Sequence, residues 1–226
     1  MTLQIGLSGQ RIYPQYFSRQ AQAAVLGALR AVLDAAPFFT PRMPKSGRPM
    51  SVAMSNCGPL GWISDEKGYR YEPAHPQTGQ PWPAIPAILT ELWSDVAQYR
   101  HPPEACLINY YGPNAKMGLH QDRDEADFSA PVVSLSLGDS CLFRIGGARR
   151  ADPTRSFRLN SGDVLVLGGD ARLAFHGVDR IYSNTSTLLG EGGRINLTMR
   201  RVTRPPSELA GARGAPVAAV SELTDR

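Results

Sequence analysis

The chain has 226 residues, 42% of them hydrophobic and 19% charged, with a formal net charge of +4. That balance excludes a disordered chain, and the length suits one domain with a full core. Three cysteines without a CxxC pair exclude a disulfide framework or a cysteine-rich zinc site, leaving reduced, mostly buried thiols as the simple expectation.

The opening MTLQIGLSGQRIYPQYF lacks the apolar run of an export signal, and no stretch approaches the roughly 18 apolar residues of a membrane span. A soluble cytoplasmic protein is expected. The first element is a helix in YFSRQAQAAVLGALRAVLDAAPFF, with Ser18 as N-cap, Phe17 before it and Pro37 as its stop. Val25, Leu26, Leu29, Val32 and Leu33 form its apolar stripe. A second helix fits AIPAILTELWSDVAQYR, burying Ile88, Leu89, Leu92, Trp93 and Val96.

Residues 38–83 read as loop and short strand. They combine many Gly and Pro with Trp62, Tyr69, Tyr71 and Trp82, and with Arg42, Lys45, Arg48, Lys67 and Arg70. One reading plugs the aromatics into the core. The other makes a lid that stacks on a flat ligand and touches phosphates.

From residue 105 short strands alternate with turns: ACLINYY, APVVSLSLG, CLFRIGG, SFRLN, DVLVLGG, LAFHGV and RINLTMRRV, with SGD and GGD as turn signals. Seven or eight such strands after two helices predict a mainly β protein with flanking helices (α+β), an antiparallel double-sheet barrel of jelly-roll type. The tail, rich in Pro, Ala and Gly, is expected to be loose.

Three constellations carry chemistry. His120 and Asp122 in LHQDRDE lie two apart, so an extended segment points both the same way. His176 in LAFHGV ends a strand-like apolar run, with Gly177 after it. Together they make a two-histidine, one-carboxylate set that leaves metal positions open, as in non-haem Fe(II) oxygenases, although a catalytic zinc could use the same ligands. The strand RINLTMR decides between the metals. Arg194, Asn196, Thr198 and Arg200 share its polar face, and the two arginines lie about 20 Å apart along it. Forked guanidinium donors suit the two ends of a short dicarboxylate. An iron oxygenase that consumes a 2-oxo dicarboxylic acid needs such a strand; a zinc hydrolase does not.

NYYGPNAKMGLHQDRDEADFSAPVVSLSLG, GDVLVLGGDARLAFHGV and RINLTMR resemble the AlkB family of Fe(II)- and 2-oxoglutarate-dependent dioxygenases. SVAMSNCGPLGW and PQTGQPWPAIP resemble its bacterial members that repair alkylated DNA. The likeness covers about residues 10–202 and implies a double-stranded β-helix. It implies one catalytic domain over residues 1–203, with helices and nucleotide-recognition lid in 10–104, the β-helix core in 105–203 and a flexible tail in 204–226.

By that resemblance His120, Asp122 and His176 hold Fe(II), with 2-oxoglutarate and O2 as co-substrates. Arg194 meets the distal carboxylate, helped by Asn109, Tyr110 and Tyr111, while Arg200 and Asn196 sit near the chelating end and Thr198 shapes the pocket. Trp62, Tyr69 and Met54 match groups around the flipped base. Asp124 matches the acid that reads its exocyclic amino group, and Arg70, Tyr71 and Arg150 match further substrate contacts. Leu167 departs from the pattern, because the best-known bacterial member has a tryptophan there.

The implied reaction removes N-methyl groups from 1-methyladenine and 3-methylcytosine, yielding formaldehyde, succinate and CO2. The expected partner is methylated DNA, single-stranded by preference, with RNA as a further substrate, acted on by a monomer with no membrane association. The alternative reading keeps the oxygenase chemistry and changes the substrate to another methylated RNA, a protein or a small molecule. A non-catalytic jelly-roll binding module has no use for three aligned metal ligands.

Overall fold

The computed structural model describes residues 7–205. The tail expected to be loose therefore falls almost wholly outside the described residues. In chain order the first elements are β1 (Gln10–Tyr13), α1 (Arg19–Ala35), β2 (Val52–Cys57), β3 (Gly61–Asp65), β4 (Gly68–Glu72) and α2 (Ala87–Val96). There follow β5 (Ala105–Tyr111), β6 (Met117–His120), β7 (Val132–Gly138), β8 (Ser140–Ile145), β9 (Arg155–Leu159), β10 (Val164–Leu167), β11 (His176–Tyr182) and β12 (Arg194–Arg200).

Local chemistry sets the helices. The Ser18 Oγ accepts from the Ala21 amide at 3.3 Å, satisfying one orphan donor of the first turn of α1. Val25, Leu29 and Val32 bury that helix's apolar face, each contributing about 1.5–3 kcal/mol relative to exposure. The second helix is shorter than its apolar pattern suggests. It starts only after Pro86, because a proline disfavours helical backbone in the residue before it, and it stops at Val96, two residues before Gln98 turns to φ 54°.

Six strands form one antiparallel sheet in the order β1-β10-β7-β12-β5-β2, and four form a second in the order β6-β11-β8-β9. The sheets face each other across a core that includes Val52, Met54 and Leu165 from the larger and Phe143, Ile145 and Val178 from the smaller. This is the expected jelly-roll arrangement, though the hydrogen-bonded ladders do not close it into a barrel. Both helices cover the back of the six-stranded sheet: Leu29, Trp93 and Val96 pack with Ile195, Leu197 and Met199. The odd polarity of β12 follows from this. Its apolar face meets the helices, its polar face looks between the sheets, and all seven of its residues are buried.

Two strands escape the sequence pattern. The four residues of β1 and the four of β6 are short and mostly polar or glycine-interrupted, yet each completes a sheet edge. His176 also corrects its expectation: it opens a strand instead of ending one, and Leu173–Phe175 precede β11 as irregular chain. All three cysteines are buried and free, and Cys57 faces Cys106 directly across the β2–β5 ladder.

Candidate active site

His120, the last residue of β6, pairs in register with His176, the first of β11. Gly177 permits the approach, because a Cβ there would lie 2.5 Å from the Met117 carbonyl oxygen. Asp122 sits just past β6. Each imidazole Nδ1 faces a backbone carbonyl, Gly118 at 3.0 Å for His120 and Ala174 at 2.9 Å for His176. A carbonyl only accepts, so each Nδ1 carries the hydrogen and each Nε2 presents a lone pair. Those two Nε2 atoms lie 3.8 Å from the Asp122 carboxylate, and the ligand atoms of the three residues lie within 4.8 Å of one another. The buried Asp122 Oδ2 has no hydrogen-bond partner. Two aimed lone pairs and an orphaned carboxylate oxygen are a facial donor set suited to a divalent metal.

A charged network fixes the acid. Arg200 donates to Asp122 Oδ1 at 2.9 Å. Burial, the largest single influence, would raise the Asp122 carboxyl, but Arg200, His176, His120 and Arg172 together outweigh it and hold the group well below the usual carboxylate range. Arg172, itself buried, donates to the Asp122 carbonyl at 2.6 Å, the Ala130 carbonyl at 2.8 Å and Glu125 at 3.0 Å. Burial, reinforced by the charge of His120, pushes the His176 imidazole down to about 4, which keeps it neutral and able to ligate.

Along the inner face of β12 the other donors follow. Arg194 is 1% exposed; its Nη2 donates to Ser136 Oγ at 3.0 Å, while its Nε and Nη1 have no partner. Its guanidinium lies 5.2 Å from the Tyr111 ring centre. Asn109 Oδ1 is also buried and unpartnered. Thr198 donates to Asn196, which donates on to Ser134 and the Leu135 carbonyl. Arg194, Tyr111, Asn109, Ser134, Asn196 and Thr198 open onto one cleft of ≈ 950 Å³, which the metal triad shares.

The cleft mouth carries the lid residues. Trp62 and Tyr69, on the β3–β4 hairpin, stack with ring centroids 5.5 Å apart and planes 18° apart. Trp62 Nε1 donates to Asp124 at 2.8 Å. Met54, Asp124, Arg150 and Leu167 also line the cleft. Trp82 takes the core reading: it is buried, and Gly61 makes room for its ring, which a Cβ would meet at 2.4 Å.

Three expected residues are not brought to the cleft. Tyr110 alternates away from Asn109 and Tyr111, toward the helix side, near the ring of Phe38. Arg70 is held by acids of its own hairpin, bonding both oxygens of Asp65 at 2.8 and 2.9 Å and Glu72 at 2.7 Å. The Tyr71 hydroxyl donates to Glu125, and burial raises its pKa well above the ordinary value.

Residues 9–200 match the model of the 2OG-Fe(II) oxygenase superfamily. The chain is 54% identical over 193 residues to an alpha-ketoglutarate-dependent dioxygenase AlkB homolog of Caulobacter vibrioides, covering 85% of this chain and 87% of the relative. It is 42% identical over 189 residues to the dioxygenase AlkB of Escherichia coli K12, covering 82% and 87% respectively. The chain belongs to the AlkB family. Among solved structures, that of OsALKBH1 superposes with a TM-score of 0.73 at 30% identity, over 88% of this chain and 99% of that one.

Membership gives the AlkB-family chain its cofactors: Fe(II), with 2-oxoglutarate and O2 as co-substrates. The donors fit both groups, since the triad offers neutral imidazoles and an anionic oxygen, and Arg194 offers two idle donors for a carboxylate. Sequence reasoning missed Glu125 and Arg172. Glu125 follows Asp124 in a charged run, yet it is 6% exposed and receives Tyr71 and Arg172 with Arg200 at 3.5 Å. Its partners lie tens of residues away in the chain, so only a single weak local signal existed: a charged run interrupting the approach to a strand.

Proposed function

We propose that this AlkB-family oxygenase demethylates N-alkylated bases, 1-methyladenine and 3-methylcytosine, in DNA and in RNA. Names among its relatives support nucleic acid as the substrate class: they include a DNA N(6)-methyladenine demethylase of Arabidopsis thaliana and a tRNA demethylase of Schizosaccharomyces pombe. The observation that carries the reading is an aromatic lid joined to a carboxylate, Trp62 to Asp124, at the mouth of a cleft floored by the triad. Methylation at N1 of adenine or N3 of cytosine blocks pairing and makes the base cationic. Such a base leaves its helix at least cost, stacks on an aromatic ring and attracts an anion.

His120, Asp122 and His176 would hold the iron, which supplies oxygen activation when bound. Arg194 and Arg200 then anchor the oxo acid, and the walls exclude water. The oxo acid loses CO2 to give succinate; one oxygen atom enters the methyl C–H bond; the hydroxymethyl group leaves as formaldehyde. The catalytic unit is residues 1–203, with Asn109, Tyr111, Asn196 and Thr198 around the co-substrate and Met54, Tyr69 and Arg150 around the base. A cytoplasmic monomer acting on single strands completes the reading; no helix among the described residues is long and apolar enough to cross a membrane. Incubation with Fe(II), 2-oxoglutarate and an oligonucleotide bearing 3-methylcytosine tests it, with His120→Ala as blank. Succinate and loss of one methyl mass are expected; intact methylated DNA beside active succinate release would reject the substrate.

A further inference from the structure

The outer face of the four-stranded sheet has no place in the reaction. On β8, Cys141, Phe143 and Ile145 point to the core, so Leu142 and Arg144 point out. Register puts Arg158 of β9 and Arg180 of β11 on either side of Leu142, in one row across three strands. Among the described residues no helix covers this face, although two cover the other sheet.

Arg144, Arg158 and Arg180 are the charged arginines of this face, and the segment around them is lopsided in charge. Between residues 140 and 182 six arginines are exposed or half-exposed: Arg144, Arg149, Arg150, Arg155, Arg158 and Arg180. The only acids so placed are Asp152, Asp170 and Asp179, and the segment contains no Lys or Glu. Asp152 pairs with Arg149 and Asp179 with Arg144, both within 2.9 Å. Arg150, Arg155, Arg158 and Arg180 have no acidic partner among the described residues. Arg158 instead lies over the Tyr182 ring, 4.2 Å from its centre.

The strip reaches the cleft. Arg150 lines the mouth and sits 4.8 Å from the Phe175 ring centre. Arg155 opposes Ile145 and so belongs to the inward face, at the open edge of the sheet, in the row of the ligand His176. From His176 to Arg180 is four residues of strand, about 13 Å. We infer that this sheet face is a docking surface for the phosphate backbone of the target strand, beyond the extruded nucleotide. The inference rests on the reading of nucleic acid as substrate. Unneutralised cations in a row repel one another, and a polyanion laid across them removes that cost. Guanidinium groups suit phosphate.

The test uses the whole protein and a single-stranded 15-mer, unmethylated or bearing one central 3-methylcytosine, read by fluorescence anisotropy. Arg158→Ser with Arg180→Ser removes two phosphate contacts. The slope of log affinity against log salt should then fall by about 1.4, so the variant's deficit shrinks by about sevenfold between 50 and 200 mM salt. Turnover of a methylated trinucleotide should not change, and Arg158→Lys with Arg180→Lys should keep the parent slope. An unchanged slope overturns the proposal. So does a loss that appears only after a complementary strand is annealed, or one equally large on the trinucleotide. The unmethylated 15-mer reports on the face directly. Failure of the parent protein to demethylate would therefore reject the substrate reading, while the slope alone decides whether the face binds phosphate.

Discussion

Arg194→Met tests how the co-substrate is held. The native guanidinium is 1% exposed, yet only one of its three nitrogens has a hydrogen-bond partner. A buried cation with two idle donors destabilises the free protein and is satisfied when a carboxylate arrives. Hydrogen bonds to charged groups contribute about 1.5–3 kcal/mol each, so losing two costs at least about 3 kcal/mol, or roughly a hundredfold in the Kd of 2-oxoglutarate. Thermal melting with Mn(II) in place of iron reads this without turnover. At a ligand concentration of about 100 Kd the parent gains about 2.7 kcal/mol, a rise of about 5–11 °C for a domain of this size. At the same concentration the variant gains about 0.4 kcal/mol, or about 1 °C. Without 2-oxoglutarate the variant should melt no lower than the parent, because methionine of similar volume replaces a desolvated charge. Equal ligand-induced shifts in both proteins, or a variant several degrees less stable when free, would refute the reasoning.

Three further outcomes are expected. Asp124→Ala should lower kcat/KM on a 3-methylcytosine oligonucleotide by about 10- to 150-fold, the loss of one charged hydrogen bond, while calorimetric Mn(II) affinity stays constant; an unaltered rate would remove Asp124 from base recognition. Gly177→Ala drives a Cβ against the Met117 carbonyl and spreads β6 from β11, so Mn(II) should bind at least about tenfold more weakly and stability should fall by about 1–3 kcal/mol. Burial depresses the His176 pKa to about 4 from the ordinary 6.5. The unfolded chain therefore binds a proton over that window that the folded metal-free protein refuses, so this stabilisation is complete above about pH 6.5 and is lost as pH falls toward 4. Melting of His176→Gln should lack that part of the pH dependence; identical profiles would contradict it.

Apart from β6, the strands of residues 105–200 were legible because each couples a period of two to a Gly- or Asp-bearing turn. The polar row of β12 was legible for the same reason, since alternation names its face whatever lies opposite. Where alternation was ignored the expectation failed: Tyr110 stands between Asn109 and Tyr111 and must point the other way. Arg70 carries an arginine's usual promise of phosphate, but Asp65 and Glu72 are its neighbours on a hairpin whose register the sequence did not reveal. Tyr71, Glu125 and Arg172 meet only after the chain has folded, and β1 is too short and polar for periodicity to detect. Leu167 is buried opposite Gln10 on the cleft side of the larger sheet, and nothing in its surroundings explains the departure from tryptophan.

The cleft is supplied by two separate lengths of polypeptide. Met54, Trp62 and Tyr69 come from residues 52–72, whereas every metal and co-substrate donor comes from residues 109–200. The two stretches are stitched together by the β2–β5 ladder and, at the cleft mouth, by the hydrogen bonds from Trp62 to Asp124 and from Tyr71 to Glu125. A redrawn lid must therefore still meet Asp124, which stands two residues from the ligand Asp122, so appetite for a given lesion cannot drift freely from the engine that burns it.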